Sequence, residues 1–374
     1  MKILILNWRD TKNPKSGGAE IVTLSHAKAW VGAGHKVVWF TSGFEGSPKE
    51  ELINGVQIVR GGNAITVYLL APFFYLFSKQ QFDLVIDEIH GFPFFTPLYV
   101  RKPKIVFIHE VASEIWDYVL PFPIGALGRF IESSYFKLYR NAHFWTDANS
   151  TIDDLEKFGI KRANCIAIPC PIQNKTLKLL PKKEEYPTFI VLSRLVRMKG
   201  IEDVIKAFSI VQREKKLSQL WIVGGGDKKY VSKLDKITKR LGIENKVKFF
   251  GYVDEKKKLE LMKRAHILLH ASIKEGWGLN VIEAASQATP AIVYNVSGLK
   301  NSVKNGETGI VLGENSSSEM AKEALWLFTD KTRYILFQKN CLAWAGSLKW
   351  KNATRDSLKM IESLYEKKEG ENVL

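Results

Sequence analysis

The chain has 374 residues, 45% of them apolar and 25% charged, with a formal net charge of +16. That length allows two or three domains with sizeable cores, and the composition matches an ordinary soluble globular protein. Cys165, Cys170 and Cys341 offer neither metal-ligand spacing nor a disulfide framework, which excludes a cysteine metal site and points to a reducing, cytoplasmic interior.

Lys2–Leu6 reads as a compact apolar strand, too short with Asn7 for a signal-peptide core. A polar loop from Arg9 to Gly18 follows, then a helix in which Ile21, Leu24, Ala27 and Val31 recur at helical spacing, stopped by Gly32 and Gly34. His35–Thr41, Val56–Arg60, Leu84–Asp87 and Ile105–His109 read as further strands. Between them, Ala64–Phe77 is apolar but interrupted by Thr66 and Pro72. It falls short of the roughly 18 residues of a spanning helix, so it is expected as a buried or an interfacial one. The prolines of 165–171 and the charged run 181–185 look like a linker. The pattern then restarts with strands at Thr188–Ser193, Leu220–Val223, Val247–Phe250, Ile267–His270 and Ala291–Tyr294, and 348–369 closes the chain as a polar-faced helix with a frayed tail. Strands alternating with helices predict α/β units with parallel sheets, here two, joined near residue 175. A ligand site is expected in a cleft between them, at the carboxyl ends of the strands.

The charge is uneven. Residues 1–170 hold 18 Lys/Arg and 16 Asp/Glu, whereas 171–374 hold 37 and 23. The basic second half could attract a nucleotide diphosphate, an anionic membrane or nucleic acid, or serve only as a solubilising surface.

The run Glu275-Gly276-Trp277-Gly278-Leu279-Asn280-Val281-Ile282-Glu283 sets two carboxylates eight residues apart around a glycine-bearing turn into a helix. Carboxylates suit sugar hydroxyls, and bare N–H groups at a helix start suit a diphosphate. The competing explanation is a strand–turn–helix connection with two solvated glutamates. Arg194 and Lys199 follow the first strand of the second half and could reach one diphosphate, Arg in a fork and Lys as a point charge; Arg197 is the bystander. Gly224, Gly225 and Gly226 end the next strand in a turn that lets a ligand approach the backbone, with Asp227 as a helix cap. Gly17 and Gly18 open the first helix, where Glu20 is expected to complement the dipole rather than catalyse. The run is not Gly-x-Gly-x-x-Gly, which disfavours a nicotinamide cofactor. His109 ends a strand and is a candidate to face a sugar; His90 is a weaker one. His26, His35, His143, His266 and His270 read as structural. The sequence contains no Asp-x-Asp pair, so a departing diphosphate would be neutralised by Arg, Lys and backbone dipoles, with no metal and no cofactor.

These runs, with Phe250-Gly-Tyr252-Val, resemble the retaining glycosyltransferases of family 4, which have the GT-B fold: two Rossmann-like, doubly wound parallel-sheet domains facing a cleft. The resemblance implies an N-terminal acceptor-side domain over 1–172, a nucleotide-sugar-binding domain over 173–347 and a helix over 348–374 crossing back to the first domain. Carried over, it implies that Arg194 and Lys199 hold the diphosphate, Glu275 the sugar hydroxyls and Glu283 the ribose. The amides of Gly276 to Asn280 would touch sugar and phosphate, Tyr252 would lie near the base, Gly18 would close the phosphate site and His109 would face the sugar. The expected reaction moves a hexose, with retention and without metal, from a UDP- or GDP-linked donor to a glycan or lipid-linked acceptor. Peripheral membrane contact is compatible with the aromatic segments 68–77 and 115–136, though the first unit lacks the basic excess of membrane-associated members. A nucleotide-sugar epimerase of the same fold is the main rival. A nucleic-acid binder is disfavoured because the lysines are not interleaved with aromatics.

Overall fold

The computed structural model describes residues 1–371 and divides into two compact units, Met1–Cys170 joined by the chain from Trp350 onward, and Pro171–Lys349. The tail predicted after Glu369 passes at residue 372 outside the described residues.

The first unit is built on eight strands: β1 Lys2–Leu6, β2 Lys36–Thr41, β3 Glu50–Ile53, β4 Val56–Arg60, β5 Leu84–Ile89, β6 Lys104–Ile108, β7 His143–Thr146 and β8 Cys165–Ala167. They lie in the order β3-β4-β2-β1-β5-β6-β7-β8, all ladders parallel except the β3–β4 hairpin. Helices α1 Gly18–Gly32, α2 Val67–Phe77, α3 Ile115–Val119, α4 Ile124–Tyr135 and α5 Asn149–Glu156 connect them. The central strands are nearly continuous apolar runs because helices cover both faces. Leu4, Leu6, Val85 and Phe40 pack under α2, while Ile89, Val106, Ile108 and Phe144 pack under the end of α4.

The second unit has six parallel strands, β9 Thr188–Leu192, β10 Gln219–Val223, β11 Val247–Gly251, β12 Ile267–His270, β13 Ala291–Val293 and β14 Gly309–Val311, ordered β11-β10-β9-β12-β13-β14. Its helices are α6 Ile201–Glu214, α7 Lys228–Arg240, α8 Glu255–Arg264, α9 Leu279–Ser286, α10 Leu299–Ser302, α11 Ser317–Phe328 and α12 Lys331–Ser347. The order reverses between β9 and β12, the position at which open α/β sheets bind ligands. The last helix, α13 Trp350–Glu371, returns to the first unit, where Ser357 Oγ lies 2.8 Å from His26 Nδ1 and accepts from Trp30 Nε1 at 3.1 Å.

Three sequence readings need correction. Cys165–Ala167 lies in the stretch read as linker but is the edge strand β8, paired with β7; three residues are too few to show a strand pattern. The strands β3 and β7, of four residues each, and β14, of three, also lie outside the strands read from the sequence. Ala64–Phe77 is not a fully buried helix: α2 buries Val67 and Ala71, packs half-buried Tyr68, Phe74 and Tyr75 against the core, and turns Leu69, Leu70, Phe73, Leu76 and Phe77 outward.

Candidate functional site

In the second unit, backbone contacts bring three predicted loops together at the carboxyl ends of β9, β10 and β12. Ser193 N–H donates to Val223 O (3.1 Å) and Leu195 N–H to Gly225 O (2.8 Å), which ties the Arg194 loop to the glycine turn. Ile273 N–H and Ser272 Oγ both donate to Met198 O, tying the turn before Lys199 to the loop after β12. Close approach here requires glycine. A Cβ on Gly200 would stand 2.0 Å from Ala271 O, one on Gly224 1.8 Å from Ser193 O, and one on Gly298 2.0 Å from Glu275 O.

This frame sets Lys199 Nζ 2.5 Å from Glu275 Oε1. Burial works to raise the Glu275 pKa, but the charge of Lys199 outweighs it and holds the carboxyl below its ordinary value. His270 Nε2 lies 3.5 Å from the same oxygen. Its pKa is pushed down to about 4, chiefly by burial, so the imidazole is neutral near pH 7. Arg194 is exposed at the end of β9, and its guanidinium has no ion-pair partner among the described residues. The site thus presents one free cation, one cation shared with a carboxylate, and a neutral imidazole beneath them.

The remaining predicted residues fall around this centre. Gly278, with φ +86°, caps α9, and Leu279 and Asn280 form its first turn. Asn280 Nδ2 donates to Leu192 O at 2.7 Å, fixing α9 against the end of β9. Trp277 is buried, and its indole N–H has no partner among the described residues. Tyr252 is 87% exposed, its Cβ 3.8 Å from the position a Cβ would take on Gly225. Gly276 lies in the turn between Glu275 and α9. Glu283 sits in the second turn of α9, paired with Lys258 Nζ at 2.8 Å. Burial raises its pKa, partly offset by Lys258.

In the first unit, Gly17 caps α1, and its N–H is already taken by Glu20 Oε2 at 2.6 Å, so Glu20, read from the sequence as a dipole partner, also closes the start of the helix. His109, one residue past β6, is gripped from both sides. Its Nδ1 lies 2.5 Å from Asp147 Oδ2, and its Nε2 lies 3.4 Å from Glu88 Oε1 without hydrogen-bond alignment. Burial disfavours its charged form, but Asp147 and Glu88 raise its pKa well above the usual imidazole value. Glu88 is fully buried and also accepts from Thr23 Oγ1 (2.8 Å), with His90 Nε2 at 3.1 Å. Glu88, His90 and His109 are the one group among the described residues whose ligand atoms, all within 4.8 Å of one another, could hold a metal ion. With His109 protonated, its Nε2 has no lone pair for an ion.

Sequence reasoning missed Glu88, Asp147, Lys258 and the proximity of His270. Glu88 had a signal: Asp87-Glu88 are consecutive acids inside an apolar strand, and buried carboxylates need partners. Asp147 and Lys258 had none, since their partners are distant in sequence.

Two family models match consecutive stretches of the chain: Glycosyltransferase Family 4 over residues 16–175 and Glycosyl transferases group 1 over 173–341. The chain belongs to the family 4 glycosyltransferases. This family 4 member is 27% identical over 158 residues to the poly(glycerol-phosphate) alpha-glucosyltransferase of Bacillus subtilis, 42% of this chain and 23% of that protein. It is 26% identical over 174 residues to the GDP-mannose-dependent alpha-(1-6)-phosphatidylinositol monomannoside mannosyltransferase of Mycobacterium tuberculosis, 45% of each. The matches thus span less than half the length of these two relatives. Among solved structures, sucrose-phosphate synthase from Thermosynechococcus elongatus aligns with a TM-score of 0.80 at 18% identity, covering 98% of this chain and 99% of that one. Anabaena Alr3699/HepE in complex with UDP-glucose aligns at 0.73 and 16%, covering 97% and 100%. At such identities the likeness speaks for the GT-B fold.

Proposed function

We propose that the protein transfers a hexose from a UDP- or GDP-linked donor to a hydroxyl of a lipid-linked or polysaccharide glycan, retaining the anomeric configuration and using no metal. The observation that carries this reading is the Lys199–Glu275 pair beside exposed Arg194 at the reversal of strand order. Arg194 and Lys199 would neutralise the diphosphate as the glycosidic bond breaks, where preorganised charge is most effective. Glu275, kept ionised by Lys199, would accept hydrogen bonds from the sugar hydroxyls, and Glu283 from the ribose. The donor class is supported by the names of the relatives, one GDP-mannose-dependent and one structure in complex with UDP-glucose. The reading extends to a cytoplasmic protein working at a membrane surface; no described helix is long and apolar enough to cross one.

The test is incubation with UDP- and GDP-hexoses and a lipid-linked saccharide, with EDTA throughout. Mass spectrometry should find a hexose added to the acceptor, and NMR should find the donor's anomeric configuration in the product. Isomerised donor without transfer would favour an epimerase, and transfer only after metal addition would reject the metal-free mechanism.

A further inference from the structure

The loop after β9 and the first turns of α7 border a groove of about 400 Å³ on the second unit. Leu195, Val196 and Arg197 form one wall, and Asp227, Lys229, Tyr230 and Lys233 the other. None of them belongs to the set around the Lys199–Glu275 pair. The walls are pinned through the main chain. Leu195 N–H donates to Gly225 O, and a Cβ on Gly226 would stand 2.5 Å from Leu195 O, so the turn before α7 lies directly against the loop. Buried Leu195 and half-buried Val196 give the groove an apolar side. Tyr230 adds a ring, since its hydroxyl is buried.

Three cations and one acid line this groove. Lys233 Nζ is paired with Glu202 at 2.8 Å. Asp227 caps α7, accepting from Lys229 N–H at 3.1 Å. Asp203, beside Glu202, is shared by Lys206 Nζ at 3.0 Å and Tyr294 Oη at 3.2 Å. Arg197 and Lys229 are left exposed, with no ion-pair partner among the described residues. A concave apolar surface rimmed by uncompensated cations suits a small anion that also carries an apolar body. A guanidinium and an ammonium together suit phosphoryl oxygens.

We infer that this groove is a second anion site, one that takes a phosphomonoester with an aromatic or apolar body. Its occupant is felt at the donor loop. Arg197 sits in the same single turn as Arg194 and Lys199: Val196 N–H donates to Arg194 O and Lys199 N–H to Val196 O, both at 3.0 Å. A ligand held by Arg197 therefore steadies that turn and tightens donor binding, and by linkage the donor tightens the ligand by the same factor. The site rests on the groove alone; its coupling to the donor rests on the proposed function.

The test is calorimetry of the full chain with phenyl phosphate while UDP and GDP fill the diphosphate site. Phenyl phosphate should bind beside them, and inorganic phosphate about tenfold more weakly for want of the ring. Arg197→Gln with Lys229→Gln should lower the affinity about tenfold or more while circular dichroism and melting stay unchanged. UDP or GDP should bind about fivefold tighter with phenyl phosphate present. Displacement of the probe by AMP assigns the site to a nucleotide, and displacement by octyl phosphate to a lipid phosphate. Displacement by neither, displacement by UDP and GDP, inorganic phosphate binding as well as the probe, or a double variant that binds as wild type would overturn the site. Unchanged UDP and GDP affinity would overturn the coupling. A chain that binds phenyl phosphate but transfers no hexose keeps the site and rejects the proposed function; transfer without a second anion bound does the reverse.

Discussion

The ammonium of Lys199 stands 2.5 Å from the carboxylate of Glu275, the first from the turn after β9 and the second from the loop after β12. Their strands adjoin where the sheet reverses its order, so the pair is a product of topology: 76 residues separate them in sequence.

Lys199→Ala is expected to lower turnover about a hundredfold or more, matching the roughly 2.7–4 kcal/mol carried by a single contact to developing charge. It also removes the charge that holds Glu275 down, so the acidic limb of the pH–rate profile moves to higher pH. Steady-state kinetics across pH check both; a folded variant with wild-type turnover would remove Lys199 from the chemistry.

Glu283→Gln should weaken donor binding by about 1–3 kcal/mol, the cost of leaving a buried polar partner unsatisfied, with little change in turnover at saturating donor. Calorimetry with UDP and GDP reports the binding, and a fall in saturated turnover alone would contradict the ribose role.

The His109 cluster ties stability to pH from both sides. His109 has a folded pKa raised from 6.5 to about 10, so its contribution is complete below pH 6.5 and disappears as pH rises through about 10. Glu88 is lowered from 4.5 to about 2, so its contribution is complete above pH 4.5 and disappears as pH falls toward 2. Glu88→Gln should therefore destabilise the first unit by about 3–5 kcal/mol between pH 4.5 and 6.5, with the gap to wild type narrowing at pH 10. Urea unfolding at the two pH values decides it; an unchanged gap would show that charge is not what binds the cluster.

Gly298→Ala introduces a Cβ 2.0 Å from Glu275 O at φ +81°, whereas Gly306→Ala, at φ +78°, meets open space. The left-handed backbone alone costs an L-residue about 1–2 kcal/mol, so Gly306→Ala should lose about that much and Gly298→Ala more, together with donor affinity. Thermal melts of the two variants give the comparison, and equal losses would mean that the loop yields without disturbing Glu275.

Much of this was legible in the sequence because buried parallel strands leave compact apolar runs between helical stretches, as at β1 and β9. The Glu275–Glu283 run and the Arg194–Lys199 loop were legible because a turn needing glycine and charge is local. Short edge strands were not, although the β3–β4 hairpin carried a sign in Asn54-Gly55, whose φ values of +52° and +83° make the mirror-image turn favoured by hairpins. The Asp147–His109 and Lys258–Glu283 pairs were out of reach, since each joins residues 38 and 25 positions apart through tertiary packing alone.

The return of α13 to the first unit reverses the order in which the two halves can be finished. During synthesis the second unit, Pro171–Lys349, is complete before Ser357 has emerged to meet His26 and Trp30. The half that is translated first must wait, with the surface of α1 uncovered, until the last helix leaves the ribosome.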